Sequence, residues 1–387
     1  MKILFVNYEY PPLGGGGGVA MMEVAQEMAT RHQVHVLTSA GPALGSLEKH
    51  PSVDLTVHRT RSLPRIDRAT ASFGSMAAFL PFGIAEGNRI LKAGKFDVVN
   101  TWFAVPSGIT GSAIARRNGV PHLLTVIGGD IYDPSKWYSP HRFLPAGMAV
   151  KKILREADAH VAISSDIADR TRKYFNFDRP VEVIPLGIKE PKWTPVGREE
   201  LGMNPERMYI VAVGRLVRRK DHPTLLRSFA SLNREDTELV LLGDGPEREN
   251  LQGLAKELGI QDRVNLRGFV TDEIKYQVLS NSDVFALVSL HEGFGIVYLE
   301  ALYCGLPVIA ANEGGQLDLL EDGKTGRLVP VGDVGALTKA LGECLSDEVQ
   351  TEEVRQANQQ RFNQFSIANL ALRYERAFEK LIQRSGA

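Results

Sequence analysis

Cysteine is almost absent from this sequence, which contains only Cys304 and Cys344. Each stands in a segment typical of an amphipathic helix, which favours small buried hydrophobes over a disulfide or a redox pair. Long apolar runs are also missing, since none approaches the roughly 18 residues that a membrane span needs. The apolar opening, residues 1–6, is too short for a secretory signal. We therefore expect a cytoplasmic protein, and contact with the inner face of a membrane stays open.

Charge of one sign is not in excess either. The 45 Lys and Arg residues face 46 Asp and Glu residues, for a net charge of -1. This balance gives no general attraction to nucleic acid, so we expect no nucleic-acid partner. No Asp-x-Asp cluster and no ligand spacing around the cysteines indicates a metal site, and we predict none.

Short apolar strands alternate with helices along the 387 residues, a length typical of two domains. Strands of this kind pair in parallel. The alternation in each half of the chain therefore predicts a doubly wound, Rossmann-like α/β sheet. Residues 185–205 are rich in proline and glycine and interrupt the alternation. We therefore expect domains at residues 1–186 and 187–365, facing each other across a cleft.

Five consecutive glycines, Gly14–Gly18, link the first predicted strand to a helix predicted at Val19–Thr30. Glycines let a backbone approach a ligand closely, and the helix N-terminus behind them attracts anionic groups. A dinucleotide site fits poorly, because no acidic residue ends the second strand at Leu37–Ser39. A merely flexible loop is the alternative.

Basic residues follow the strand predicted at Tyr209–Val213. Arg215 comes two residues after the strand, and Lys220 stands shortly before the next predicted helix. A guanidinium fork together with a mobile ammonium suits a diphosphate. A solvated basic turn is the alternative, because two further arginines lie between them.

Two carboxylates follow the strand predicted at Val284–Val288. Glu292 lies in a glycine-containing loop, and Glu300 lies about a turn and a half into the next helix. Carboxylates accept hydrogen bonds from sugar hydroxyls, and burying them without such partners is unfavourable. If each residue is considered alone, the alternative is that one glutamate caps the helix and the other lies on the surface.

Together these residues resemble a known family. Gly214-Arg215-Leu216 with Lys220, and Glu292 with Glu300 in EGFGIVYLEALYCGLPVIA, are similar to the donor site of family 4 of the retaining glycosyltransferases, which have the GT-B fold. The resemblance is specific over roughly residues 181–335 and general over the first half. It implies transfer of a sugar from a nucleotide diphosphate sugar to an acceptor hydroxyl, with no cofactor besides this co-substrate. It also implies a donor-binding domain at 187–365 and an acceptor-side domain at 1–186, which the C-terminal helix 366–387 completes.

Carried over position by position, the resemblance implies a role for each donor-site residue. Arg215 and Lys220 would bind the diphosphate, Glu300 the ribose hydroxyls and Glu292 the transferred sugar. Further donor contacts would come from three short segments: Gly15, Gly16 and Gly17 in the first domain, Gly268, Phe269 and Val270 beside the base, and Gly293, Phe294, Gly295 and Ile296 at the phosphates.

One departure from the family follows the strand His122–Val126. Many members have a His before a Gly there, whereas Ile127 has no proton chemistry. Asp130 is the best remaining candidate for a base or hydroxyl acceptor, and it joins Arg215, Lys220 and Glu292 in the predicted catalytic set. A turn or helix N-cap residue is the alternative for Asp130.

A basic segment leads into an apolar helical pattern within residues 59–82. The arginines and the apolar residues are Arg59, Arg61, Arg65 and Arg68, then Phe73, Met76, Phe79 and Leu80. Such a segment suits anionic lipid headgroups or a lipid-linked sugar acceptor. A core-facing helix after a solvated loop is the alternative, with a soluble sugar as acceptor.

Two rival functions fit the same fold. One is a nucleotide-sugar epimerase or hydrolase, which needs water or proton-transfer groups in the cleft. The other is a non-catalytic nucleotide-sugar-binding protein, suggested by Ile127 in place of His. Nucleotide release that depends on an acceptor separates the transferase from both.

The predicted lack of a metal gives a first test. Because Arg215, Lys220 and a helix N-terminus would stabilise the departing diphosphate, we expect turnover to survive in EDTA. The measurement is nucleotide diphosphate release with and without the chelator. Loss of turnover in EDTA, with recovery on adding magnesium or manganese, would contradict the expectation.

Overall fold

The computed structural model describes residues 1–41, 44–63, 72–346 and 352–385. The chain divides into two compact units, Met1–Lys189 together with Ser366–Ala387, and Glu190–Phe365. The division falls inside the proline-rich segment predicted as a linker. Each unit is built on one mainly parallel sheet, so the predicted α/β class with two Rossmann-like domains is confirmed.

The first unit begins with the strand that precedes the glycine run. Its strands are β1 (Lys2–Val6), β2 (Gln33–Ser39), β3 (Leu47–Lys49), β4 (Leu55–Thr60), β5 (Val98–Trp102), β6 (His122–Val126), β7 (Ala159–Ala162) and β8 (Glu182–Val183). Its helices before the linker are α1 (Gly16–Met28), α2 (Phe73–Lys92), α3 (Ile109–Asn118), α4 (Leu144–Glu156) and α5 (Ser165–Phe175).

The sheet of the first unit has the order β3-β4-β2-β1-β5-β6-β7-β8 in the described residues. All pairs are parallel except β3 with β4. Every residue of β5 and β6 is buried, as expected for central strands that helices cover on both faces. The strand order reverses between β1 and β5, so ligand-binding loops are expected after these two strands.

The second unit repeats the same construction. Its strands are β9 (Met208–Val213), β10 (Thr237–Leu242), β11 (Val264–Gly268), β12 (Val284–Leu287), β13 (Val308–Ala311) and β14 (Gly326–Val329). Its helices are α6 (His222–Leu232), α7 (Arg248–Glu257), α8 (Asp272–Ser280), α9 (Ile296–Tyr303), α10 (Val334–Cys344) and α11 (Glu352–Asn363). The last helix, α12 (Ile367–Ser385), belongs to the first unit.

The sheet of the second unit is parallel throughout the described residues, in the order β11-β10-β9-β12-β13-β14. Apolar residues at helical spacing on α6, among them Leu225, Leu226 and Phe229, are buried in its core. The strand order reverses between β9 and β12. The loops that carry Arg215, Lys220 and Glu292 follow these two strands.

The glycine run differs from its prediction. Helix α1 begins at Gly16 rather than at Val19, and Gly15 is its extended N-cap. The amides of Gly18 and Val19 both donate to the carbonyl of Gly15, at 3.0 and 3.2 Å. These bonds make the later glycines the first helical turn, so the alternative of a merely flexible loop does not describe them.

In the described part of residues 59–82, Arg59 and Phe79 are interior, whereas Arg61, Leu63 and Phe82 are exposed. Arg59 is only 6% exposed, and its Nη2 donates to the carbonyl of Pro11 at 2.8 Å. Phe79 is fully buried, whereas Phe73 is 58% exposed. Arg65 and Arg68 lie outside the described residues. Arg59 and Phe79 therefore pack inside the first unit, and membrane contact through the exposed residues of this segment stays a prediction.

A helix that crosses a membrane needs about 20 mostly apolar residues. In the parts of the chain that the structure describes, no helix is both long and apolar enough to cross a bilayer.

Helix α2 gives a direct test of this assignment. Phe79→Ala should lower the free energy of unfolding by about 3–5 kcal/mol, because it leaves a cavity in a packed core. Phe73→Ala is the matched control on the same helix, and its exposed ring should contribute little. Urea denaturation measures both variants. Equal losses would show that the two rings share one environment.

Candidate functional site

Two charged loops lie side by side at the carboxyl edge of the second sheet. β9 ends at Val213, β12 ends at Leu287, and the two strands are paired neighbours. A reversal of strand order at this point opens a crevice, which is where open α/β sheets bind ligands. The loops 214–221 and 288–295 border this crevice.

Close backbone packing beneath the crevice requires glycine. Gly214 and Gly243 have φ angles of +150° and +140°. A Cβ on Gly243 would lie 2.0 Å from the carbonyl oxygen of Gly214, so no other residue fits there. Arg215 follows directly, with an exposed side chain. Its guanidinium is therefore presented to solvent at the start of the loop.

Glu292 binds two cations in the crevice. Nζ of Lys220 lies 2.6 Å from its Oε1, and Nη1 of Arg219 lies 2.8 Å from its Oε2. The hydroxyl of Ser289 donates to Oε1 at 2.8 Å. Glu292 and Lys220 are 6% and 8% exposed, so burial makes these pairings necessary. We call Lys220, Arg219 and Glu292 the charge triad.

The triad keeps its carboxylate ionised. Burial alone would raise the pKa of Glu292, but Lys220 and Arg219 outweigh burial and hold that pKa well below its usual range. Burial lowers the pKa of Lys220, and the charge of Glu292 opposes this change. At neutral pH the crevice therefore contains an anionic acceptor for hydrogen bonds.

Backbone hydrogen bonds fix the triad from several loops. The amide of Leu290 donates to the carbonyl of Arg219 at 2.8 Å, and Nη1 of Arg219 donates to the carbonyl of His291 at 2.6 Å. The amide of Gly315 donates to the carbonyl of Glu292 at 2.8 Å. Glu292 is thus held at its main chain as well as at its side chain.

Glu300 forms a second buried cluster on α9. It is 6% exposed, and its Oε1 accepts from Nζ of Lys275 at 2.6 Å and from the hydroxyl of Tyr276 at 3.1 Å. Burial raises the pKa of Glu300, and Lys275 opposes this change. Trp193 stacks on Tyr276 with ring centroids 5.3 Å apart. The carboxylate is thus oriented by two donors.

The N-terminus of α9 adjoins the triad. Gly295 precedes the helix with φ +88°, and a Cβ there would lie 2.4 Å from the ring of Tyr298. Phe294 is 1% exposed, so its side chain anchors the loop while Gly293 and Ile296 flank it. Amide groups at a helix N-terminus favour an anion. This end of α9 has the geometry for a phosphate.

The predicted base segment follows β11 at the same edge of the sheet. Gly268 has φ +74°, and its carbonyl accepts from the amide of Gly243 at 2.8 Å. Phe269 is 86% exposed, which is unusual for so large an apolar ring. Val270 follows at the start of the turn into α8. An exposed ring at a ligand edge suits stacking on a planar base.

In the first unit, the glycines pack against loops that follow β5 and β6. A Cβ on Gly17 would lie 2.7 Å from Cζ of Phe103 and 3.2 Å from Cγ2 of Ile127. The amide of Gly15 donates to Oε2 of Glu9 at 3.1 Å. Gly16 begins α1 between them. Close packing explains glycine at position 17, whereas a Cβ on Gly15 would meet no atom within 4 Å.

Asp130 holds the loop after β6. Its Oδ2 accepts from the amide of Ala104 at 2.7 Å, and its Oδ1 accepts from the amides of Ile127 and Gly128 at 3.1 and 2.8 Å. Burial raises its pKa, while these amide donors oppose the change. Of the two interpretations that the sequence leaves open, these contacts are those of a turn residue. The role of Asp130 as a base or hydroxyl acceptor stays a prediction.

Metal-ligating side chains and the two cysteines show what cofactor chemistry the described residues offer. Among the described residues, no group of three or more His, Cys, Asp and Glu side chains is arranged to hold a metal ion. Cys304 and Cys344 are buried and unbridged, and burial raises the pKa of both thiols to about 12. Buried thiols of this kind behave as small hydrophobes.

The structure brings Lys220 and Glu292 into direct contact, although 72 residues separate them in the sequence. The sequence reasoning missed several partners of the two glutamates: Arg219, Ser289, Lys275 and Tyr276. A signal existed for Arg219, since it stands in the basic run before Lys220. The same run also fits a solvated basic turn, so the sequence alone does not assign Arg219 a partner.

Comparison with family models matches both halves of the chain. The model for Glycosyltransferase Family 4 matches residues 14–190, and the model for Glycosyl transferases group 1 matches residues 195–361. Together the two matches cover both predicted domains.

Relatives with assigned activities match over nearly the whole chain. A GDP-mannose-dependent alpha-(1-6)-phosphatidylinositol monomannoside mannosyltransferase from Mycolicibacterium smegmatis is 30% identical and covers 89% of each chain. An N-acetyl-alpha-D-glucosaminyl L-malate synthase from Bacillus anthracis is 24% identical and covers 97% of this chain and 96% of the relative.

Solved structures match the fold. Sucrose-phosphate synthase from Thermosynechococcus elongatus has a TM-score of 0.86 at 23% identity, covering 99% of this chain and 100% of the other. Anabaena HepE in complex with UDP and glucose has a TM-score of 0.78 at 21% identity, covering 98% of this chain and 100% of the other. The expected GT-B class is confirmed at the level of the fold.

The charge triad leads to a stability prediction. Glu292→Gln should lower the free energy of unfolding by about 3–5 kcal/mol, because it leaves two cations in the crevice without their anion. Glu321→Gln is the matched control: its pair with Lys324 has the same 2.6 Å distance, but both side chains are largely exposed. That control should leave the urea midpoint unchanged. Equal midpoint shifts in the two variants would show that burial of the triad has no energetic consequence.

Proposed function

Because the chain belongs to glycosyltransferase family 4, we propose that it transfers a sugar from a nucleotide diphosphate sugar to an acceptor hydroxyl and retains the anomeric configuration. The observation that carries this proposal is the charge triad beside Arg215 and the N-terminus of α9, where the strand order reverses. One small region thus offers donors for phosphates and an acceptor for sugar hydroxyls.

The relatives support this donor class. HepE has been solved with UDP and with UDP-glucose, and the mycobacterial relative is named as GDP-mannose-dependent. Both donors are nucleotide diphosphate sugars, although their bases differ. We therefore propose the class of donor and leave the base to experiment.

The donor would extend across the carboxyl edge of the second sheet. Arg215 and the amides at the start of α9 would bind the diphosphate, because both oppose negative charge. Glu300, oriented by Lys275 and Tyr276, would accept hydrogen bonds from the ribose hydroxyls. The exposed ring of Phe269 would stack on the base.

Glu292 would bind the transferred sugar. Its ionised carboxylate accepts hydrogen bonds, and the triad fixes its orientation before the donor arrives. Lys220 would contribute positive charge to the diphosphate while it stays paired with Glu292. Glu292 would contact the sugar on one side of the scissile bond, and Lys220 the diphosphate on the other side. Because the two side chains contact each other, their positions relative to that bond would be fixed.

The proposed reaction uses these positions, and its retention of configuration rests on the resemblance to family 4. The bond between the anomeric carbon and the diphosphate oxygen breaks, and fixed cations and the helix N-terminus stabilise the charge that develops on the leaving group. The acceptor oxygen bonds to the same face of the anomeric carbon, and its proton passes to the departing phosphate oxygen. No separate base is required, which agrees with the amide contacts of Asp130.

The first unit would serve the acceptor. Gly15–Gly17 would contact the donor, and the first unit would bind the acceptor. The names of the relatives include both lipid-linked and soluble acceptors, among them phosphatidylinositol monomannoside, L-malate and inositol 3-phosphate. We propose a role in glycan, polysaccharide or glycolipid biosynthesis.

Two measurements test the proposed function. A thermal-shift panel of UDP, GDP and ADP with their sugars identifies the donor, because a ligand that binds the native state raises the melting temperature. Nucleotide release is then measured with each acceptor class, and the anomeric configuration of the product by NMR. Release without acceptor would indicate a hydrolase, isomerisation of the donor an epimerase, and binding without turnover a non-catalytic protein.

Arg215 provides the sharpest variant. Arg215→Ala should lower kcat/KM by about 2–4 kcal/mol of transition-state stabilisation, because one donor to the developing charge is lost. Arg218→Ala is the matched control: an exposed arginine in the same loop to which the proposal gives no role. Near-normal turnover of Arg215→Ala would exclude this loop as the diphosphate site.

A further inference from the structure

The first unit exposes several large apolar side chains. Trp137 is 74% exposed, Leu144 is 73%, Met148 is 64% and Phe73 is 58%. We call these four residues the apolar patch. Scattered exposed apolar residues are normal, but a contiguous group of them marks an interaction surface.

Ring contacts make the patch continuous. The centroid of Tyr138 lies 5.3 Å from that of Phe73 and 5.6 Å from that of Trp137. The ring of Trp137 lies 5.8 Å from Phe143, which directly precedes Leu144 at the start of α4. Met148 stands four residues after Leu144, hence on the same face of the helix.

The surroundings of the patch are basic. Residues 134–155 contain no Asp or Glu and five basic residues: Lys136, Arg142, Lys151, Lys152 and Arg155. The flanking acids are Asp133, which is 4% exposed and 3.0 Å from Lys136, and Glu156, which is 3.8 Å from Lys152. In a chain of net charge -1, this basic stretch is local.

The patch also lies at the ligand edge of its sheet. Residues 134–148 follow β6, and Phe73 opens α2 in the connection that follows β4. Both connections begin at carboxyl ends of parallel strands, the edge at which α/β sheets bind ligands. A surface at this edge is near the acceptor region of the first unit.

We propose that the first unit docks through this patch on a bilayer that contains anionic lipid. Trp and Tyr side chains favour the interface between headgroups and acyl chains, and Leu144 and Met148 add apolar area. Lys151, Lys152 and Arg142 attract anionic headgroups. The consequence, that the acceptor is lipid-linked, rests on the proposed function. The docking itself does not.

Vesicles test the docking on the full-length protein. Sedimentation and Trp emission are measured with vesicles of phosphatidylcholine alone and with added phosphatidylglycerol. Trp102 is fully buried, and Trp193 is half-buried against Tyr276 in the second unit, so an emission blue shift on adding anionic vesicles would report mainly the exposed Trp137. We expect co-sedimentation and the shift with anionic vesicles at low salt, and weaker binding at high salt.

Matched variants identify the surface. Replacing Trp137, Leu144 and Met148 together by Ser should weaken vesicle association by about tenfold or more. Leu317→Ser with Val331→Ser is the control, since these second-unit residues are each 41% exposed. Lys151→Gln with Lys152→Gln should weaken association with anionic vesicles about tenfold, because each loses one headgroup attraction. The nucleotide-induced thermal shift should not change in any variant.

Three outcomes would overturn the docking: no co-sedimentation with anionic vesicles, equal binding by the patch variant and the wild type, or equal binding to neutral and anionic vesicles. A dimer in sedimentation velocity that the patch variant abolishes would assign the surface to a second copy of the chain. Vesicle binding without any nucleotide-induced stabilisation would refute the donor proposal and leave the docking intact.

Discussion

Glu292 is an acid that water hardly reaches, and its ionised form persists there because Lys220 and Arg219 lie within hydrogen-bonding distance of its two oxygens. Removing either charge leaves the other sign buried without compensation. The surrounding loops are therefore constrained together: Ser289, the carbonyl of His291 and the amide of Gly315 all hold members of this group. The geometry of the proposed donor site depends on that constraint.

Parallel pairing provides the platform for this group. Because all strands of the second sheet point the same way, the loops after β9, β11 and β12 emerge at one edge. Bringing them together requires main-chain contacts closer than any side chain allows, as at Gly214 and Gly243. Glycine at these points follows from packing. The turn at Gly17 in the first unit obeys the same rule.

Strong periodic segments were predictable from the sequence. The strand β6 has its predicted bounds, and the strands β9 and β12 each differ from theirs by one residue, because each is an apolar run between turn residues. The edge strand β3 and the strand β14 were missed, since LEK and GRLV carry too little apolar pattern. The helix α5 was also missed, because its mostly polar sequence carries too little apolar pattern.

The functional positions were less predictable than the elements. Arg215, Lys220, Glu292 and Glu300 were selected by resemblance, yet the pairing of Lys220 with Glu292 is a tertiary contact that no local pattern encodes. Asp130 illustrates the opposite case, because an acid next to glycines suits a turn as well as a base. Its amide partners include Ala104, which follows another strand.

The exposed ring of Phe269 is a contrast to the buried triad. A side chain with 86% of its surface in water contributes almost nothing to the core, so its replacement leaves stability nearly untouched. Under the proposed function this ring stacks on the base, so single substitutions at this rim can change base preference and leave the fold intact, whereas the triad changes only through coordinated substitutions. One scaffold can in this way give rise to descendants that use different nucleotides and keep the same reaction chemistry.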